Sequence, residues 1–201
     1  YERLPVLARR GGESQALGKL KDEVAWPVVY QRVFDMTTDS HLFCTAAELG
    51  KRGFVQAEAG RWKHGKDEAL ALYVGRMIHQ YDHRHADVTV NEGNLHVAAS
   101  GEPLSAVRKA DPKVHPVPQY WVCLSDAGEV HRSWAVGFRD IARATDVRTM
   151  IASIVPHGVA GNTLPLLLHD PAKVSHGQVA CLLATLNSFA FDFVARQKAQ
   201  T

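Results

Sequence analysis

The sequence predicts an α+β domain with a mixed or antiparallel short-stranded sheet and a long C-terminal helix. Three observations carry that expectation. Short runs of β-branched and aromatic residues recur along the chain, glycines and prolines break them at close intervals, and one segment near the C-terminus has helical periodicity. The 201 residues are enough to bury one sizeable core. At 46% hydrophobic and 22% charged, the composition is that of an ordinary globular protein rather than a disordered chain. No apolar run approaches the roughly 18 residues of a membrane-spanning helix, so no membrane partner is expected.

Residues 1–24 are polar, with Arg9-Arg10-Gly11-Gly12 in the middle, and read as a linker or lead-in. The domain is expected over 25–201. Val28 to Met36 reads as a strand. Thr45-Ala46-Ala47-Glu48 is a capping box, so a short helix should start there and stop at Gly50 or Gly53. Phe54 to Gln56 and Leu70 to Gln80 read as strands around a loop from Gly60 to Gly65. Asp87 to Ala98 reads as a hairpin turning at residues 91–94. Prolines 103, 112, 116 and 118 forbid a long element between them, although Leu104 to Ala110 has room for a helical turn. Tyr120 to Leu124, Ser133 to Ile141, Thr149 to Val155 and Thr163 to Leu168 read as strands, with a turn at 125–128. The last helix opens on a second capping box, Ser175-His176-Gly177-Gln178. Val179, Leu182, Leu183, Leu186, Phe189, Ala190, Phe193 and Val194 then follow the spacing of one buried face.

Charge and cysteine content narrow the function classes. With 23 basic and 21 acidic residues the net charge is +2, too balanced by itself to announce nucleic acid. Cys44, Cys123 and Cys181 are odd in number and far apart, which argues against a disulfide framework or a zinc ribbon. A cytoplasmic, reducing setting is expected. The chain begins at Tyr1 rather than Met and ends in a polar run, so a fragment of a longer protein is expected. There is no Walker lysine motif and no Gly-x-Ser-x-Gly elbow. Nor is there a paired acidic set ending in Glu-x-Lys. No catalytic residue is assigned, and the residues themselves imply no cofactor or metal.

Three polar constellations remain. His79, His83 and His85 suggest a metal site if the segment were helical, but Tyr73, Val74, Met77, Ile78 and Tyr81 give no helical stripe. On a strand, positions 79 and 83 lie too far apart for one ion. The alternatives are hydrogen-bonded polar residues on a strand edge and DNA contact through Arg76, His83 and Arg84. Arg139, Arg143 and Arg148 could bind phosphate or read guanine, or could form surface ion pairs with Asp140 and Asp146. Arg61, Trp62, Lys63, His64 and Lys66 form a basic patch with one aromatic, suited either to groove entry or to a solvated loop with Trp62 packed inward. Trp121, Trp134, Phe138, Phe189 and Phe191 read as core.

Several segments together carry a resemblance. They are Phe34 to Phe43, Leu72 to Arg84, Pro118 to Val122, the run Gly137 to Thr145 followed by Arg148 to Pro156, and Leu186 to Lys198. In this order they resemble the C-terminal target-recognition domain of adenine-specific DNA methyltransferases from restriction-modification and related phage-defence systems. The resemblance spans most of residues 28–198. It implies a target-recognition-like fold and a sequence-specific double-stranded DNA partner. It also implies a parent adenine-N6 methyltransferase that uses S-adenosylmethionine and in some cases also cleaves DNA.

The methyl-donor loop and the Asn/Asp-Pro-Pro-Tyr/Phe tetrapeptide of such enzymes are absent here. The fragment is therefore expected to be no enzyme, and to act with a catalytic domain elsewhere in the same polypeptide. The DNA-contacting candidates are Arg61, Lys63, Arg76, His83, Arg84, Arg139, Arg143 and Arg148. The competing expectation is a protein-interaction or scaffolding domain within a multi-domain phage-defence enzyme. A stand-alone hydrolase with a histidine-based site is a third.

Overall fold

The computed structural model describes residues 26–89, 100–127, 134–142, 146–157 and 159–199. The expected lead-in, the hairpin turn at 91–94 and Arg143 lie outside these residues. In chain order, β1 (Val28–Gln31) and β2 (Phe43–Cys44) precede α1 (Ala46–Lys51). Strands β3 (Val55–Gln56), β4 (Trp62–His64) and β5 (Asp67–Ala71) form a meander. Then β6 (Ala86–Thr89) pairs with β7 (Ser100–Pro103), followed by α2 (Ala106–Ala110), β8 (Trp121–Cys123) and α3 (Leu124–Ala127). The chain continues through β9 (Trp134–Phe138), β10 (Ala152–Pro156) and β11 (Leu166–His169) to α4 (His176–Leu186) and α5 (Phe189–Arg196).

The class is α+β, with antiparallel sheets and few helices. One sheet has the order β1-β11-β9-β10 and the other β2-β8-β5-β4-β3. Strand alternation gives the first sheet two buried faces. Val136, Phe138 and Leu167 point to one side, where Val179, Leu182, Leu183 and Leu186 of α4 cover them. Ala135, Val155, Leu166 and Leu168 point to the other, where Met77 and Ile78 cover them. On the second sheet, Ala69, Trp121 and Cys123 pack against Leu49 of α1 and Phe54. The cysteines are unpaired.

Both capping boxes form as their sequences specify. Glu48 N–H donates to Thr45 Oγ1 and Gln178 N–H to Ser175 Oγ, and each Glu or Gln side chain accepts from the cap backbone. Four local expectations need correction. The strand expected over Leu70 to Gln80 ends at Ala71, and residues 75–77 form a 3-10 turn. Leu72 N–H still bonds Tyr120 O beside β8, and the chain leaves the sheet at Tyr73, whose N–H is taken by Val159 O. The turn expected at 125–128 begins as one turn of helix. The Gly60-to-Gly65 loop is largely strand β4, paired on both sides.

The fourth correction concerns the C-terminal helix, which is two helices meeting at 55°. Asn187 ends α4 because its side-chain amide pairs with both Ala152 N–H (3.0 Å) and Ala152 O (2.9 Å). Ser188 then caps α5 afresh, accepting from Phe191 N–H. The break turns the second apolar face outward. Phe189 is 85% exposed and Phe193 66%, while Asp192 is buried. Ala190 and Phe191 are exposed as well. No single helix among the described residues is long and apolar enough to cross a membrane.

Gly137 and Gly50 provide a paired test of the packing. A Cβ on Gly137 would stand 2.7 Å from Val155 Cγ2 and 3.2 Å from Leu166 Cδ2, whereas one on Gly50, in α1, would meet nothing within 4 Å. Gly137→Ala is expected to lose about 1–3 kcal/mol by overpacking. Gly50→Ala is expected to gain about 0.5–1 kcal/mol from helix entropy. Urea denaturation of both variants checks this.

Candidate nucleic-acid interface

The arginines singled out in the sequence divide into two sets. Arg139 leaves the end of β9 and reaches into the 3-10 turn. Its Nε donates to Gly75 O (2.9 Å) and Ile78 O (3.1 Å), and its Nη2 to Ile78 O (2.6 Å). Burial pushes its pKa down, with Asp146 opposing, but a guanidinium remains charged in any folded protein. Gly75 is fixed from the other side by its N–H to Thr163 Oγ1, and a Cβ there would meet Thr163 O at 2.7 Å.

Arg148 is similarly committed. It donates to Asn187 O, lies 3.8 Å from an Asp192 carboxylate oxygen and stacks on Phe189 with its guanidinium carbon 4.4 Å from the ring centre. Arg139 does not pair with Asp140 nor Arg148 with Asp146; both guanidiniums make these internal bonds instead. Asp140 instead pairs with Arg32 at 2.6 Å. Arg76 is exposed on the 3-10 turn, its Cβ beside Gly101.

The histidines are also sorted by the fold. His79 and Asp82 close a two-residue turn, with Tyr81 at a φ of 61°. The rings of His79 and His85 lie 4.8 Å apart, while Asp82 is bound by Lys109. Burial, and then the neighbouring Arg139, holds the pKa of His79 low. Among the described residues no group of three His, Cys, Asp or Glu side chains is placed to hold a metal.

The second set lies near a cleft of about 510 Å³, itself lined by the β3–β4 turn and the proline-rich wall. At the turn, Arg61 N–H donates to Glu58 O across Ala59 and Gly60, both at positive φ. That is the geometry of a type I′ turn. Gly60 allows His115 to pack close, since a Cβ there would lie 3.3 Å from His115 Cβ. Arg84 builds the opposite wall by donating to Lys109 O, Asp111 O and Val114 O. Trp62 and Trp121 line the cleft floor edge to face, 6.0 Å between centres. Lys113 and His115 line its rim.

Burial lowers the pKa of His115 first, and the charged groups Arg84, His157 and Arg61 lower it further. His83 is lowered by burial and by Arg84, with His115 adding to it. Nearby, Arg61 and Lys63 share the carboxylate of Glu68 at 3.8 and 2.8 Å.

Comparison with protein-family models, curated proteins and solved structures finds no match.

Of the candidates, Arg61, His83 and Arg84 lie near His115, a lining residue of the cleft, without lining it themselves, and Lys63 is on the adjoining strand. Arg139 and Arg148 are spent on backbone carbonyls elsewhere. Lys113, His115, His157 and Trp121 were not singled out as contact residues. The available signal was Lys113 and His115 between Pro112 and Pro116, since flanking prolines favour exposed, extended backbone.

Two stability predictions follow from the committed groups. Arg139→Lys removes the planar fork and strands buried carbonyls, so it should lower unfolding free energy by about 2–3 kcal/mol in urea. Asp192 accepts from Thr149 N–H (2.8 Å) and Met150 N–H (2.7 Å). Burial works to raise its pKa, but these donors, with Arg148 and Arg196, outweigh it and hold the group below the ordinary 3.8. A depressed carboxylate stabilises above its unfolded pKa and loses that contribution as pH falls through its folded value. Asp192→Asn should therefore be less stable at neutral pH and show a shallower loss of stability on acidification below about 4, read from urea midpoints against pH.

Proposed function

We propose that this domain is the sequence-specific DNA-recognition module of an S-adenosylmethionine-dependent adenine-N6 methyltransferase, or of a fused restriction-modification enzyme. Methyl transfer, and any DNA cleavage, would belong to other parts of the enzyme. The module would hold duplex DNA beside the base that the catalytic domain withdraws from the helix.

What supports the reading is that the five segments carrying the resemblance bond to one another. Phe43 pairs with Val122, Leu72 N–H bonds Tyr120 O, and Tyr81 N–H bonds Ala152 O. Arg139 joins 137–156 to 72–84, and Asn187 and Asp192 join it to 186–198. Such mutual dependence is what a fold signature requires, and it explains why its arginines face inward. DNA would then be met by the side carrying Arg61, Lys63 and Lys113.

A second reading, a protein-interaction domain within a multi-domain phage-defence enzyme, is favoured by the outward phenylalanines of α5. Contiguous exposed aromatic surface of this kind marks association sites. The two readings separate experimentally.

Fluorescence anisotropy with mixed-sequence duplex should detect binding at about 50 mM salt that weakens steeply with added salt. Arg61→Ala and Lys63→Ala should each reduce the logarithmic salt slope by about 1. No duplex binding, together with concentration-dependent association abolished by Phe189→Ser/Phe193→Ser, would favour the second reading instead.

A further inference from the structure

We propose that the cleft between the Ala59–Gly60 turn and the proline-rich wall takes one unpaired nucleotide of a DNA strand, its base against Trp62 and its phosphate at His115 and Lys113. The proposal rests on the DNA reading above and names the ligand of its cationic side.

Size sets the first limit. A cleft of about 510 Å³ falls within the roughly 300–1,000 Å³ of small-ligand sites, so it has room for a base with its sugar and phosphate. Its wall chemistry sets the second. Trp121 is buried in the Leu49–Phe54 cluster, so the ring left to a base is that of the partly buried Trp62, and any base can stack on such a ring irrespective of sequence. Trp121 is pinned, its Nε1 donating to Gly60 O at 3.1 Å. Trp62 Nε1 has no hydrogen-bond partner among the described residues, so no hydrogen bond through its ring nitrogen fixes that ring.

Charge sets the third limit. The groups acting on His115 are Arg84 from the turn before β6, Arg61 at the start of β4 and His157 after β10. All three are cationic or become so on protonation. His83 stands beside Arg84, and Lys113 shares the rim. The opposing carboxylates are Glu58 at the turn and Glu68, which is already held by Arg61 and Lys63. A neutral proline-rich peptide would match the Trp and Pro walls but gain nothing from these cations, whereas a phosphate monoanion or dianion satisfies them. Burial, with Arg84, His157 and Arg61 nearby, disfavours the charged form of His115. A bound phosphate favours the protonated ring, so affinity should rise as pH falls through the histidine range.

The test is a titration of the full 201-residue chain, followed by tryptophan fluorescence. The probes are a single strand of about ten nucleotides, the matching duplex, deoxyadenosine monophosphate, inorganic phosphate and a proline-rich peptide. The strand and the mononucleotide should quench saturably, and more tightly at about pH 5.5 than at about pH 7.5. Trp62→Ala should weaken both by about tenfold or more, the loss of one stacked base, and Trp62→Phe should restore part of it in a folded protein. His115→Gln should keep the quenching and flatten its pH dependence.

Duplex binding without quenching by the strand or the mononucleotide would overturn the cleft assignment and leave the DNA reading standing. Binding of neither duplex nor strand would overturn both. Quenching by the peptide alone, or competition by inorganic phosphate equal to that of the mononucleotide, would also overturn the assignment.

Discussion

The guanidinium of Arg139, set among the carbonyls of Gly75 and Ile78, is the joint on which both sheets depend. Arg139 stands at the end of β9 in the first sheet, and the turn it holds is reached directly from β5 in the second. Met77 and Ile78, inside that turn, are the side chains that cover one face of the first sheet. Charge-assisted bonds to backbone oxygens are stronger than neutral ones, and a planar fork can satisfy two carbonyls at once. Without it, Ile78 O would be left unpaired, Gly75 O would keep only the Ile78 N–H, and the apolar cover of the sheet would lose its anchor. Gly75 completes the joint, because any side chain there would strike Thr163 O.

The same division of labour recurs across the molecule. Arg84 fastens the proline-rich wall by three carbonyls, and Arg148 fastens the α4–α5 junction. Arginines that a basic-patch argument would assign to phosphate are used to close irregular backbone. A small sheet protein with many non-helical, non-strand segments has many carbonyls to satisfy, and the five-donor guanidinium satisfies several from one position. Recognition, as proposed, would fall to groups the fold consumes least, Lys113 and Trp62 at the cleft and the outward aromatic face of α5.

Much of the architecture was legible in the sequence. Both capping boxes specify their helix starts, and the apolar runs at Val28, Trp121, Trp134 and Leu166 become strands. The segment from Leu72 to Arg84 was legible only as a polar puzzle. Its conformation is imposed by partners distant in sequence, Arg139, Thr163 and Ala152, and local pattern does not encode these. The long helix was misread because apolar spacing continues through Asn187-Ser188. The pair is itself a stop and a fresh cap, and the demand of Ala152 for an amide partner outweighs the periodicity. Phe189 and Phe193 then face outward for the same reason. The cleft was half visible: Arg61, His83 and Arg84 were in view, but their meeting with His115 and Trp121 is a product of sheet order.

Hydrogen–deuterium exchange of the chain with and without DNA tests the central separation between arginines that build and side chains that bind. The account predicts added protection in the β3–β4 turn and strand around residues 57–66 and in the proline-rich wall around 109–118. The amides of Gly75, Met77, Ile78, Thr149, Met150 and Ala152, already bonded internally, should be unchanged. Protection concentrated at 137–151 and α5, with the cleft unaffected, would contradict it.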